Sequence, residues 1–192
     1  MINPNLNLKV IDSPFDHMVI HNFLDLEEAS PSLEALAEQD FTLTESDLFS
    51  YSASNNLSIS DNPDIKSLYD SMSSKAWIHK LESLFDVSLS GNVDMAAYVY
   101  VNGDFLLPHD DELDSRLLAY SLHLTPNMSP SDGGSFDFFS SNKDGEAEEI
   151  VKQVVPKFNS IVIFKVTPES WHQVSEILSD VQRFSLTGWY HE

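Results

Sequence analysis

The sequence predicts an α+β fold, with helices in the first half packed on one face of a jelly-roll-like double sheet (a double-stranded β-helix) built from the second. Two observations predict it. Before about residue 90 the apolar residues recur at helical spacing, and from about residue 93 the chain breaks into short β-branched and aromatic runs divided by turn signals. With 192 residues, 42% of them hydrophobic, the chain has apolar material for one full core. We therefore expect one domain, 1–192, with helical support over about 1–90 and a jelly-roll core over about 91–192.

The elements follow in order. A first helix is expected over 31–39, where Leu33, Leu36 and Ala37 share a face. A second, over 62–86, carries Ile65, Leu68, Tyr69 and Met72, then Trp77, Leu81, Leu84 and Phe85. Asp61-Asn62-Pro63 opens it with a cap and a first-turn proline. Residues 41–60 are polar and rich in Ser and Asn, which reads as a long loop with room for a short strand near Phe49 to Tyr51. Seven strands are expected after that: Met95–Tyr100, Leu117–Leu124, Ser135–Phe139, Gln153–Val155, Ser160–Val166, Gln173–Ile177 and Phe184–Tyr190. Asn102-Gly103, Ser131 to Gly134, Lys143-Asp144-Gly145 and Lys157-Phe158-Asn159 supply the turns between them.

Composition narrows the function. Against 31 acidic residues stand 10 Lys and Arg, a net charge of −21 spread over both halves, which disfavours DNA, RNA and anionic membranes as partners. A basic partner suits that charge, and salt adaptation explains it equally well. With no cysteine, disulfides, zinc fingers, iron–sulfur clusters and thiol nucleophiles are excluded, so any metal must be held by His and carboxylate. The amino terminus has no basic leader pattern and no window approaches about 18 apolar residues, so a soluble, cytoplasmic protein is expected.

His109-Asp110-Asp111 puts a His and an Asp on one face of an extended segment. One His-x-acid pair is expected by chance, roughly, in a chain with seven His and 31 acids, so context must decide. His172 lies 63 residues on, directly before an expected strand, far enough for a jelly roll to return beside His109. Two His and a carboxylate facing one metal, with other positions open, is the arrangement of non-haem Fe(II) oxygenases. Arg183, one of only two arginines, opens the last apolar strand, where it needs solvent or an acidic partner. An organic carboxylate meets that need through two parallel charge-assisted hydrogen bonds.

His109-x-Asp111, His172 and Arg183 resemble the signature of the 2-oxoglutarate- and Fe(II)-dependent dioxygenases, and the flanking sequence is similar to the prolyl hydroxylase branch. The similar stretches are Tyr100 to Asp111, the strand after Arg116, Gly133 to Phe136, Pro156 to Val166, and Arg183 to His191. The Gly188-Trp189-Tyr190-His191 ending is similar to enzymes that hydroxylate a proline of a small-subunit ribosomal protein.

The resemblance implies that His109, Asp111 and His172 ligate Fe(II), that Arg183 holds the distal carboxylate of 2-oxoglutarate, and that Tyr100 lines the cosubstrate pocket. It places Thr187 against cosubstrate or a metal-bound water, and Trp189 against substrate nearer the mouth. O2 is the second cosubstrate and ascorbate the expected reductant. The implied activity is hydroxylation of a prolyl residue in a protein or peptide, basic or ribosomal, with no direct binding of nucleic acid or membrane.

The sequence departs from that pattern at His123, where relatives usually carry a tyrosine that shares the distal carboxylate with the arginine. An imidazole N–H can donate the same bond. A second departure is length. Eukaryotic ribosomal-protein hydroxylases usually carry a further double-sheet domain, whereas this sequence ends at Glu192, two residues past the last expected strand, so that domain's part in partner choice is expected to be absent or supplied differently.

Other readings of the same residues stay open. They are an oxygenase acting on a free amino acid or other small molecule, a non-catalytic metal-binding jelly-roll module, and a zinc hydrolase, for which no general base stands at a telling position. Of the remaining residues, His17, His21, His79 and His191 have no ligand spacing, and Arg116 is expected to pair with nearby acids such as Asp114.

Overall fold

A computed structural model describes residues 1–113 and 115–192. In chain order the elements are β1 (His17–His21), α1 (Leu26–Ala37), β2 (Thr42–Ser46), β3 (Phe49–Ala53), α2 (Pro63–Met72), α3 (Lys75–Phe85), β4 (Ala96–Tyr100), β5 (Phe105–His109), β6 (Arg116–His123), β7 (Phe136–Ser141), β8 (Ala147–Val154), β9 (Ser160–Lys165), β10 (His172–Val174) and β11 (Arg183–His191). The strands form one curled antiparallel sheet in the order β1-β9-β6-β11-β4-β3-β5-β10-β7-β8, with β2 added on β3.

Period-two alternation gives this sheet two different faces. On its outer side Leu118, Tyr120 and Leu122 of β6, Ile161 and Ile163 of β9, and Leu186 and Tyr190 of β11 pack with the helices' Ile65, Leu68, Trp77, Leu81 and Phe85. The Trp77 indole N–H donates to the Tyr190 hydroxyl at 3.0 Å, fixing α3 to β11. The residues between them face inward: Ala119, Val162 and Phe164 join Tyr100, Phe136, Phe138 and Val174 in a second core between the two halves of the curl. The sheet is thus anchored from outside, and its interior is left free to hold a site.

The expected second helix is in fact two. Ser73 turns its hydroxyl back to the Tyr69 carbonyl, and Ser74 accepts the Trp77 N–H as the cap of α3, so adjacent serines end one helix and start the next. The first helix begins at Leu26 rather than 31, because the Asp25 side chain caps it by accepting the Glu27 N–H. The expected loop 41–60 holds the β2–β3 hairpin, closed by Asp47-Leu48, and a 3-10 turn at Leu57–Ile59; the short strand expected near Phe49 to Tyr51 is β3, and β2 is the addition. Alternation of Phe49, Tyr51 and Ala53 with Ser50 and Ser52 carries the strand, and the polarity of β2, which is exposed throughout, masks it. Strands β1 and β5 are likewise additional to the seven expected.

Candidate active site

Strands β5 and β10 pair in register at His109 and His172, so the two imidazoles stand side by side with ring centres 4.1 Å apart. Asp111, at φ 65° in the left-handed region, turns the chain after β5. Its two oxygens lie 3.6 Å from His109 Nε2 and 3.4 Å from His172 Nε2. One ligand atom from each of the three residues falls within 4.8 Å of the others, the only such His/acid group among the described residues.

Both rings are pinned from behind. His109 Nδ1 donates to the Leu107 carbonyl at 2.9 Å and His172 Nδ1 to the Ser170 carbonyl at 2.8 Å, which leaves each Nε2 lone pair facing the site, as a neutral imidazole ligand requires. Burial and the adjacent His172 pull His109 down to about 4, so its ring is uncharged at neutral pH. Burial works to raise Asp111, but the His172 hydrogen bond and the two imidazoles outweigh it and hold the carboxyl at about 2. One fixed carboxylate and two imidazoles form a donor set suited to Fe(II), with open positions on the other side. Phe136 stacks on His172 at 5.1 Å and Phe164 meets it edge-on at 4.6 Å, giving the imidazole a dry, rigid backing.

A cavity of about 360 Å³ extends from this group into the curl. Arg183 lies along it, 1% exposed. Its Nε donates to the Gly134 carbonyl at 2.9 Å and its Nη1 to the Ser185 hydroxyl at 3.2 Å, while Nη2 has no partner. No carboxylate of the described residues forms a salt bridge with this guanidinium. A buried cation with an unused donor beside an open cavity is a fitting seat for an anionic ligand. Tyr100 is Arg183's register partner across β4–β11, with the guanidinium carbon 5.1 Å from its ring centre.

The other expected residues divide. Thr187 lines the cavity and donates to Ser121 at 3.4 Å, and Trp189 lines it beside Asp111. His123 is fully buried but does not line the cavity, and neither ring nitrogen has a hydrogen-bond partner. Arg116 stacks over Trp189 at 3.6 Å and reaches Asp111 at 3.7 Å. The Asp114 expected to pair with it lies outside the described residues.

The sequence reading also missed Phe136, Phe164, Tyr51 and Tyr98 as cavity walls. The alternation of Phe136 with Phe138 is a usable signal, as is that of Phe49 with Tyr51 in the short strand expected there. The remaining histidines are structural or exposed: His17 sits between the Phe15 carbonyl and Lys152, His79 beside Glu82, and His191 between Ser115 and Asp94.

Comparison with known proteins agrees with this geometry. Over 182 residues the chain is 39% identical to the prolyl 3-hydroxylase OGFOD1 of Xenopus laevis, covering 93% of this chain and 35% of the relative. It is 35% identical to the mouse protein of the same name, covering 93% and 33%. The chain thus spans about a third of the length of the curated relatives it matches. Among solved structures, a Pseudomonas putida prolyl-4-hydroxylase superposes with a TM-score of 0.71 at 18% identity, covering 92% of each chain. A Trichoplax adhaerens prolyl hydroxylase, solved with a hypoxia-inducible-factor peptide fragment, gives 0.71 at 17%, covering 91% of this chain and 83% of that one. Residues 95–191, the stretch that carries the clustered His109, Asp111 and His172 together with Arg183, match the 2OG-Fe(II) oxygenase superfamily, and the chain belongs to that family.

Proposed function

We propose that this chain is a catalytic unit that hydroxylates a prolyl residue of a protein or peptide, with Fe(II), 2-oxoglutarate and O2. The observation that carries the reading is the cavity with a two-His, one-carboxylate group at one place and an unpaired buried Arg183 at another. The prolyl hydroxylases among its relatives support the choice of substrate. His109, Asp111 and His172 would hold the iron, and Arg183 the distal carboxylate of the cosubstrate. When bound, iron with 2-oxoglutarate and O2 supplies the oxidising power that puts one oxygen atom into a C–H bond.

The chain's own residues do the rest. The Leu107 and Ser170 carbonyls keep the two imidazoles in the ligating tautomer. Phe136 and Phe164 exclude water behind His172, and Tyr100 closes the wall beside Arg183. Thr187 places a hydroxyl inside the cavity for the cosubstrate. Trp189, held flat by Arg116, offers an aromatic face to the substrate ring. The net charge of −21 suits a basic segment as substrate, as in a ribosomal protein.

The test is an anaerobic titration of the purified protein with Fe(II) and then 2-oxoglutarate, read by the visible charge-transfer band of the chelate. Proline-containing basic peptides are then screened by mass spectrometry for a gain of one oxygen. His109→Ala and Asp111→Ala should lose both the metal and the band. Tight iron binding with no band in the parent protein would reject the reading in favour of a metal-binding module.

A further inference from the structure

Strand β11 runs past the cavity wall and ends in His191, two residues beyond Trp189. Both nitrogens of its imidazole are engaged: Nδ1 stands 3.0 Å from the Ser115 hydroxyl and Nε2 3.0 Å from the Asp94 carboxylate. An ionised carboxylate only accepts, so Nε2 carries the proton and donates to Asp94, and Nδ1 accepts from the Ser115 O–H. Ser115, His191 and Asp94 thus form one directed chain that ties the start of β6 to the end of β11 and to the segment entering β4.

The backbone held there is one that a serine seldom adopts. Ser115 has φ 73°, in the left-handed region, and its carbonyl accepts the Glu192 N–H at 2.9 Å, so main chain and side chain are both gripped from the end of β11. The next residue is Arg116, the register partner of His191 where the β6–β11 ladder becomes irregular. Arg116 stacks on Trp189 at 3.6 Å and reaches the Asp111 carboxylate at 3.7 Å. Asp111, also left-handed at φ 65°, is therefore touched by a side chain whose root His191 holds in place.

We infer that His191 is a positioning residue for the His109, Asp111 and His172 group: through Ser115 it fixes where Arg116 enters β6, and through Arg116 it fixes the orientation of the Asp111 carboxylate. This rests on the reading of those three residues as a metal site. His191 touches none of them. A carboxylate rotates easily, and groups behind a metal ligand restrict it to the ligating orientation. The contribution of His191 is transmitted by Arg116, so it vanishes when Arg116 is removed.

The experiment titrates Co(II) into the purified protein, with affinity read by calorimetry and coordination by the visible absorption of bound Co(II), alongside urea unfolding of the metal-free protein. His191→Phe, which fills the space but makes neither hydrogen bond, should weaken Co(II) about tenfold and alter its absorption bands. His191→Gln, whose amide donates to Asp94 and accepts from Ser115, should recover most of the affinity. In an Arg116→Met background, His191→Phe should have no further effect on Co(II) affinity.

A merely structural His191 predicts a different pattern: lower stability of the metal-free variant with the parent's Co(II) affinity and spectrum, and that result would overturn the inference. Full additivity of His191→Phe with Arg116→Met would overturn it as well. Ser115→Ala changes an exposed side chain and removes one bond of the chain, so it covers the case in which His191→Phe does not fold. It should weaken Co(II) in the same direction, and parent-like affinity in Ser115→Ala would also overturn the inference. A parent protein that binds no Co(II) would remove the metal reading and this inference with it, an outcome distinct from unchanged variants of a parent that binds.

Discussion

Replacing Arg183 by Met separates a ligand-binding arginine from a structural one, because the two roles predict opposite changes in the free protein. The guanidinium is 1% exposed and makes two hydrogen bonds, to the Gly134 carbonyl at 2.9 Å and to Ser185 at 3.2 Å, with no acidic partner among the described residues. Removing an ion from water costs several kcal/mol even after relaxation, and each hydrogen bond from a charged donor returns about 1.5–3 kcal/mol. The two sides nearly cancel. Methionine fills a similar volume, adapts to the space and carries no charge to desolvate. Arg183→Met should therefore leave the ligand-free protein within about 1 kcal/mol of the parent or make it more stable, by up to about 4 kcal/mol as in other replaced buried ions. At this chain length each kcal/mol moves the melting temperature by about 2–4 °C.

The ligand reverses the order. At a hundred times its dissociation constant, 2-oxoglutarate should stabilise the Mn(II)-loaded parent by about 2.7 kcal/mol and Arg183→Met not at all. Urea unfolding of both proteins, with and without 2-oxoglutarate at fixed Mn(II), gives the four free energies required. A free variant weaker than the parent by more than about 2 kcal/mol, or one that keeps the full 2-oxoglutarate increment, would refute the argument.

Two further outcomes follow from the packing. A Cβ on Gly188 would stand 1.8 Å from the Asp94 carbonyl oxygen and 2.6 Å from its carbon, so Gly188→Ala should cost at least about 2 kcal/mol in urea unfolding; a loss under about 0.5 kcal/mol would mean that β11 shifts freely. His123 is held far below the ordinary value of 6.5 by burial and then by Arg183, so below that pH the unfolded chain takes up a proton that the folded chain refuses. Its share of stability is therefore complete above that value and is lost as pH falls, at about 1.4 kcal/mol per pH unit. His123→Phe should flatten the acid limb of stability against pH by that slope, and parallel limbs for the two proteins would contradict it.

The clustering of His109, Asp111 and His172 was legible in the sequence because their spacing reflects topology. His109 ends one strand and His172 begins its antiparallel neighbour, so their separation in sequence becomes a register pair in space. Arg183 was legible for a different reason, since a lone arginine opening an apolar strand has few ways to be satisfied. What the sequence concealed was held by contacts between distant elements. The β2–β3 hairpin reads as a loop because β2 is wholly exposed and so needs no apolar residues. The helix break at Ser73-Ser74 reads as continuous because apolar residues follow on both sides at near-helical spacing, with no Pro or Gly between Met72 and Trp77. Arg116 does pair with a nearby acid, Asp111 at 3.7 Å, but its stacking on Trp189, 73 residues further along the chain, had no signal in the sequence.

The two faces of β6 and β11 explain how this chain tolerates such an interior. Leu118, Tyr120, Leu122, Leu186 and Tyr190 gain their burial against the helices, and that side bears the strands' stability. The alternate residues, Ser121, His123, Arg183, Ser185 and Thr187, gain little of it and leave the His123 ring and Arg183 Nη2 without partners. Polar groups left unsatisfied in a folded interior are a cost that the outer face must offset. A ligand that fills the cavity and accepts from Arg183 Nη2 removes part of that cost, so cosubstrate binding should tighten the sheet most where β11 begins, beside the His123 end of β6. Slower amide exchange of residues 121–123 than of 117–119 on adding 2-oxoglutarate is the signature of that coupling.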